Sequence, residues 1–151
     1  MDSMAQDGLL KSLENADVGE KVALDNLMAA LPWNGDGLIP AIAQQHDSGE
    51  ILMMAWMNAE ALRETLTTGR VCYFSRSRSK LWRKGESSGQ QQHLVSTHLD
   101  CDGDTLLVKV DQTGPACHTG RKSCFYWRLD AEGAEITDAP IIDPDTLYGN
   151  A

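Results

Sequence analysis

The stretch "LIPAIAQQHDSGEILMMAWM", residues 38–57, constrains the fold more than any other. Two apolar runs, residues 38–43 and Ile51–Met57, flank "HDSGE", whose Asp and Gly favour a chain reversal. The segment is therefore expected to be a β-hairpin. An isolated hairpin is marginal in water, so the rest of the chain has to cover it.

The next residues supply the cover. Asn58 is a good N-cap for "AEALRETLTTG", where Ala59, Leu62 and Leu66 recur at helical spacing and Gly69 supplies the stop. "VCYFS" (71–75) reads as a short strand, and "RSRSKLWRKGESSGQQ" as a long, basic functional loop. "HLVSTHLDCDGDTLLVKVDQ" is a second hairpin turning near Asp102 and Gly103, and "SCFYWRLD" is expected to close the core as a strand. The class is α+β: mostly antiparallel β-hairpins with one main helix.

A length of 151 residues implies one domain. Residues 32–140 are expected to form it. Residues 1–31 are an acidic leader, mobile or loosely helical, and residues 141–151 a surface tail. The net charge of −9 argues against a nucleic-acid or anionic-membrane partner but permits a local basic pocket for a phosphorylated small molecule. No apolar run approaches the roughly 18–20 residues of a membrane span, and the N-terminus lacks a secretory pattern, so the expected location is cytoplasmic. In that reducing compartment the 4 cysteines are ligands, catalysts or buried apolar residues rather than disulfides.

Cys72 lies in a strand-like run and reads as a small buried apolar residue. Cys101, Cys117 and Cys124 lie in turn-rich polar sequence, where packing gives no reason for a thiol. Three thiolates suit a catalytic zinc with a free position for water; a fourth ligand such as His118 would make the site structural. "DCDGD" sets Asp100, Asp102 and Asp104 at alternate positions. It is not a calcium loop, because the required Gly falls at Thr105 and the closing Glu at Asp111. The carboxylates suit a hard cation such as magnesium, against the plainer reading of a solvated acidic turn. If the chain is extended here, Cys101 points away from Asp100 and Asp102, which keeps soft and hard donors on separate ions. Arg76, Arg78, Lys80, Arg83 and Lys84, with Ser87 and Ser88 close behind, form either a phosphate clamp or a solvated basic loop. Trp82 is placed to stack on a planar base.

"MMAWMNAEAL", "YFSRSRSKLWRKGESSGQ", "DCDGDTLLVKVDQTGPACHTG" and "SCFY", in this order and spacing over roughly residues 38–128, resemble phosphoribosyl-AMP cyclohydrolase, the third enzyme of histidine biosynthesis. The resemblance implies an intertwined homodimer. It implies a zinc site at the interface, with Cys101 from one subunit and Cys117 and Cys124 from the other, and magnesium at Asp100, Asp102 and Asp104. It implies water addition to adenine in a small phosphorylated nucleotide, with ring opening. The pyrophosphohydrolase domain that often follows in this family is not expected here. His118 is the candidate proton shuttle, or else orients a ligand; His93 and His98 fall on a strand. Two alternatives stand beside this reading. A zinc nucleobase deaminase would need H-x-E and P-C-x-x-C, which "PACHTGRKSC" does not match. A structural zinc module that binds a partner leaves the basic loop and the aspartates without a role.

Overall fold

The computed structural model describes residues 8–147; the start of the leader and the end of the tail lie outside the described residues. The elements are α1 (described over residues 8–12), α2 (Leu24–Ala30), β1 (Ile39–Gln45), β2 (Ile51–Met57), α3 (Ala59–Thr68), β3 (Cys72–Ser75), β4 (Lys80–Arg83), β5 (Gln92–Leu99), β6 (Leu106–Gln112), β7 (Trp127–Asp130), β8 (Gly133–Ile136) and the short α4 (Pro144–Leu147). Six strands form one sheet in the order β4-β3-β2-β1-β6-β5. All neighbours are antiparallel except β1 and β6, which run parallel with Ala41 opposite Leu106 and Gln45 opposite Val110. The α+β reading with a dominance of antiparallel hairpins therefore holds, and both expected hairpins form.

Alternation produces the core. In β1 every second residue is buried, Ile39, Ala41, Ala43 and Gln45, and in β6 Leu106, Val108 and Val110 face the same side. The small Ala41 and Ala43 lie in the centre of the sheet. Helix α3 covers this face with Ala61, Leu62 and Thr65. Its start is fixed by Asn58, whose side chain accepts the Ala61 N–H at 2.8 Å, and its end by Gly69 in the left-handed region. Thr65 then locks helix to sheet: its hydroxyl donates to Ala61 O at 2.9 Å and accepts the Cys72 N–H at 2.9 Å. Cys72 is fully buried and serves as the small apolar residue its context suggests.

Three expectations change. The leader is not merely appended, since Met28 and Leu31 belong to the core. The basic segment is not all loop. Residues 80–83 are strand β4, paired with β3 so that Trp82 lies opposite Tyr73, and the two rings are 5.5 Å apart. The apolar pair Leu81-Trp82 is the local reason, obscured in the sequence by the charges around it. Finally, "SCFYWRLD" does not close the core. Only Trp127–Asp130 is strand, and it pairs with β8 in a separate, fully exposed ribbon. Asp130 directs that turn, its carboxylate accepting the N–H groups of Glu132 and Gly133 at 2.9 and 3.1 Å.

Candidate active site

The chemistry-bearing residues sit in three turns around the sheet. The first joins β5 to β6. The strand ends at Leu99, and the Gly103 N–H closes on Asp100 O at 3.0 Å. Gly103 has φ 77, and a Cβ there would come within 2.5 Å of Leu10 in α1. This turn overturns one geometric expectation. Because residues 100–103 are not extended, Cys101 does not point away from its neighbours: its Sγ and one carboxylate oxygen each of Asp100 and Asp102 lie within 4.8 Å of one another. The carboxyls of Asp100 and Asp104 also meet, with Asp102 beside them. Shared hydrogen bonds from Asp104 and Asp102 hold Asp100 below its ordinary value, and Asp100 followed by Asp102 pushes Asp104 up to about 6. Crowding of this kind is relieved by a cation, so the donor set fits a hard divalent ion. A cleft of about 410 Å³ opens beside Asp100, lined by Ile42, Leu99 and Leu107.

The second region holds the other two cysteines. Residues 116–122 fold back on themselves, with Ala116 N–H on Lys122 O at 3.0 Å and Cys117 N–H on Arg121 O at 3.1 Å. Gly120 turns the loop at φ 84; a Cβ there would fall 2.0 Å from Ile142 O. The tail straps this loop, because Ile141 N–H donates to Gly120 O at 2.9 Å. Cys124 is anchored separately: its N–H donates to Leu52 O at 2.7 Å, and Ser123 Oγ donates to Ile51 O at 2.7 Å. These bonds use a stretch of β2 that β3, which meets β2 in register at Trp56 and Phe74, does not cover. The effect is to bring the Cys117 and Cys124 thiols side by side. Burial, and then the neighbouring Cys117, push the Cys124 thiol up to about 12. Thr119 Oγ1 donates to Cys117 Sγ at 3.1 Å. Two adjacent thiols of this kind fit a soft divalent cation. Among the described residues, Cys101 does not join them in one metal-capable cluster. His118 is exposed beside Cys117. His93 and His98 are exposed on β5, where His98 Nε2 lies 2.9 Å from Ser96 Oγ.

The third region is the basic turn. Arg76, Arg78 and Lys80 are exposed, and the Arg76 guanidinium lies 4.9 Å from the Trp56 ring centroid. Arg76 and Ser79 line a cleft of about 310 Å³ with Asp36, Leu38 and Phe74. The cluster is not uniform, however. Arg83 makes two 2.7 Å bonds to Glu64 on α3, which stabilise its charged form and hold the Glu64 carboxyl below its usual value. Lys84 is 4% exposed. Ser87 is exposed, and Ser88 Oγ accepts the Gln90 N–H at 3.2 Å. Trp82 is half-buried against Tyr73. Sequence reasoning overlooked Glu64, Thr119 and Trp56. Of these only Thr119, inside "ACHTG", carried a positional signal.

The phosphoribosyl-AMP cyclohydrolase family model matches residues 53–126. A phosphoribosyl-AMP cyclohydrolase of Alkalilimnicola ehrlichii is 71% identical over 140 residues, 93% of this chain and 99% of the relative. One of Chromohalobacter salexigens is 68% identical over 139 residues (92% and 95%), and one of Halorhodospira halophila 60% over 141 residues (93% and 99%). Fold and matches together define an α+β hydrolase. The chain belongs to the phosphoribosyl-AMP cyclohydrolase family.

Proposed function

We propose that this chain opens the six-membered ring of adenine in 1-(5-phosphoribosyl)-AMP, in the biosynthesis of histidine. Water adds at ring carbon 6, the bond from that carbon to nitrogen 1 breaks, and nitrogen 1 takes up a proton. A carboxamide is left on the imidazole. The observation that carries this reading is 71% identity across 93% of the chain, a span that includes the aspartate turn, the thiol loop and the basic turn.

Cys117 and Cys124 hold zinc together with Cys101 of a second copy, and Asp100, Asp102 and Asp104 hold magnesium. Zinc, when bound, supplies Lewis-acid activation of water near neutral pH. The thiols' adjacency, and the grouping of Cys101 with Asp100 and Asp102 rather than with them among the described residues, support a site completed only in a homodimer. His118, exposed next to Cys117, delivers the proton to nitrogen 1. Arg76, Arg78 and Lys80 bind phosphate oxygens, since their cations have no carboxylate partner among the described residues. Four unpaired cysteines support a reducing, cytoplasmic location.

The test combines metal analysis of protein purified without chelator with a spectroscopic ring-opening assay. We expect about one zinc per chain, activity lost on chelation, and recovery with zinc and magnesium. Zinc-loaded protein that leaves 1-(5-phosphoribosyl)-AMP intact would refute the assignment.

A further inference from the structure

Lys84 stands in the basic segment, but it cannot serve a phosphate at the surface. Its side chain is sealed beneath the sheet edge at 4% exposure. Its backbone N–H is fixed to Val71 O at 3.0 Å. Its Nζ donates to Ala116 O at 2.7 Å, and the Trp82 ring centroid lies 5.7 Å away. No carboxylate is within ion-pair distance of it among the described residues. An ammonium carries three donors and a full charge, and one carbonyl does not offset the desolvation of that charge. Buried cations are retained where an anion compensates them.

The groups near enough to compensate this ammonium, once they are thiolates on a metal, are Cys124 and Cys117. The carbonyl it holds belongs to Ala116, the residue before Cys117. Lys84 therefore touches the thiol loop twice, through charge and through a tether. Three thiolates around one divalent cation leave one net negative charge, which a fixed positive neighbour offsets.

We propose that Lys84 is the built-in counter-charge of the Cys117–Cys124 pair, a positioning residue that prepares the two thiols for a soft divalent cation. This rests on the zinc reading above, and the experiment separates the two. The zinc affinity of the full-length protein is measured by competition with a chromophoric chelator, alongside apo-protein melting and the thiolate-to-metal charge-transfer band of the Co2+ form. Lys84→Met removes the charge and the tether at similar volume. Lys84→Gln removes the charge but keeps an N–H for Ala116 O.

Both variants are expected to bind zinc about 10–100-fold more weakly than wild type, a loss of the size seen when groups around metal ligands are removed. Their Co2+ charge-transfer bands should weaken or shift. Apo melting should stay level or rise, because a buried charge has been replaced by a neutral side chain. A merely structural lysine would give the reverse, with lower apo melting and unchanged zinc affinity, and that result overturns the proposal. So does wild-type zinc affinity in Lys84→Gln, which would leave only the tether. Should Lys84→Met fail to fold, Lys84→Gln still decides. If wild-type protein itself binds no zinc, the zinc reading fails first, and the proposal with it.

Discussion

Mixing two cysteine variants tests the proposed sharing of the metal site between copies. Cys117 and Cys124 are neighbours within one chain, whereas Cys101 lies on the β5–β6 turn with Asp100 and Asp102. If Cys101 completes the thiol site only from a second copy, a dimer has two sites, each drawing on both chains. Cys101→Ala and Cys117→Ala homodimers then carry two broken sites each. In a mixed dimer one site has lost both cysteines, while the other combines the intact Cys101 of one chain with the intact Cys117 of the other. Random reassociation makes about half the dimers mixed, each with one of two sites whole. About a quarter of wild-type activity and of wild-type zinc content should therefore return, if sites act independently. The assay is co-refolding from denaturant at equal concentrations, followed by ring-opening rate and zinc content, with each variant refolded alone as control. Activity absent from the mixture, when the wild type refolds under the same conditions, would mean that all three cysteines serve within one chain, and the shared-site reasoning would be wrong.

Other consequences are open to simpler tests. Cys72→Ala should retain zinc and activity and lose about 1 kcal/mol of stability in denaturant unfolding, because Cys72 is packed as an apolar residue far from solvent. Tyr73 is buried with its hydroxyl 2.7 Å from Gln92 Oε1, so Tyr73→Phe strands a buried acceptor; we expect a loss of about 1–3 kcal/mol, seen as a fall of roughly 3–10 °C in Tm. In metal-free protein, Asp104, raised to about 6, holds its proton more tightly folded than unfolded. Its contribution is thus fully favourable at low pH and is lost as pH climbs through about 6, so the denaturation midpoint should fall over that range and Asp104→Asn should flatten it.

Legibility in the sequence followed the range of the interaction. The β1–β2 and β5–β6 hairpins and helix α3 were readable because their signals are local: turn residues, alternation, and Asn58 and Gly69 at the helix ends. Strand β4 was obscured because charge in "RSRSKLWRK" suggested solvent, while what decides its state is pairing with β3 and the packing of Trp82 on Tyr73. The "SCFY" segment reads as strand by composition, yet the Cys124 N–H is taken by a single carbonyl of β2 rather than by a ladder. In the candidate site, residue types were visible but their neighbours were not. Nothing local announces that Arg83 meets Glu64 or that Lys84 reaches Ala116, since both contacts cross the fold. The strand-alternation argument at Cys101 failed for the opposite reason, because a tight turn replaced the extended chain it assumed.

The parallel pairing of β1 with β6 has a kinetic consequence. Each hairpin can zip up from its own turn, but the seam between them joins Ala41 to Leu106 and so must wait for nearly the whole sheet to be synthesised. On the ribosome, β1 emerges with one edge bare and stays so until β6 has left the exit tunnel. Leu52 O and Ile51 O, which anchor Cys124 and Ser123, wait longer still. The thiol pair is therefore among the last features to assemble. If the pair holds a soft cation as proposed, a cation that meets the growing chain finds separate cysteines before it finds a site, and correct loading is expected to follow the closure of that seam.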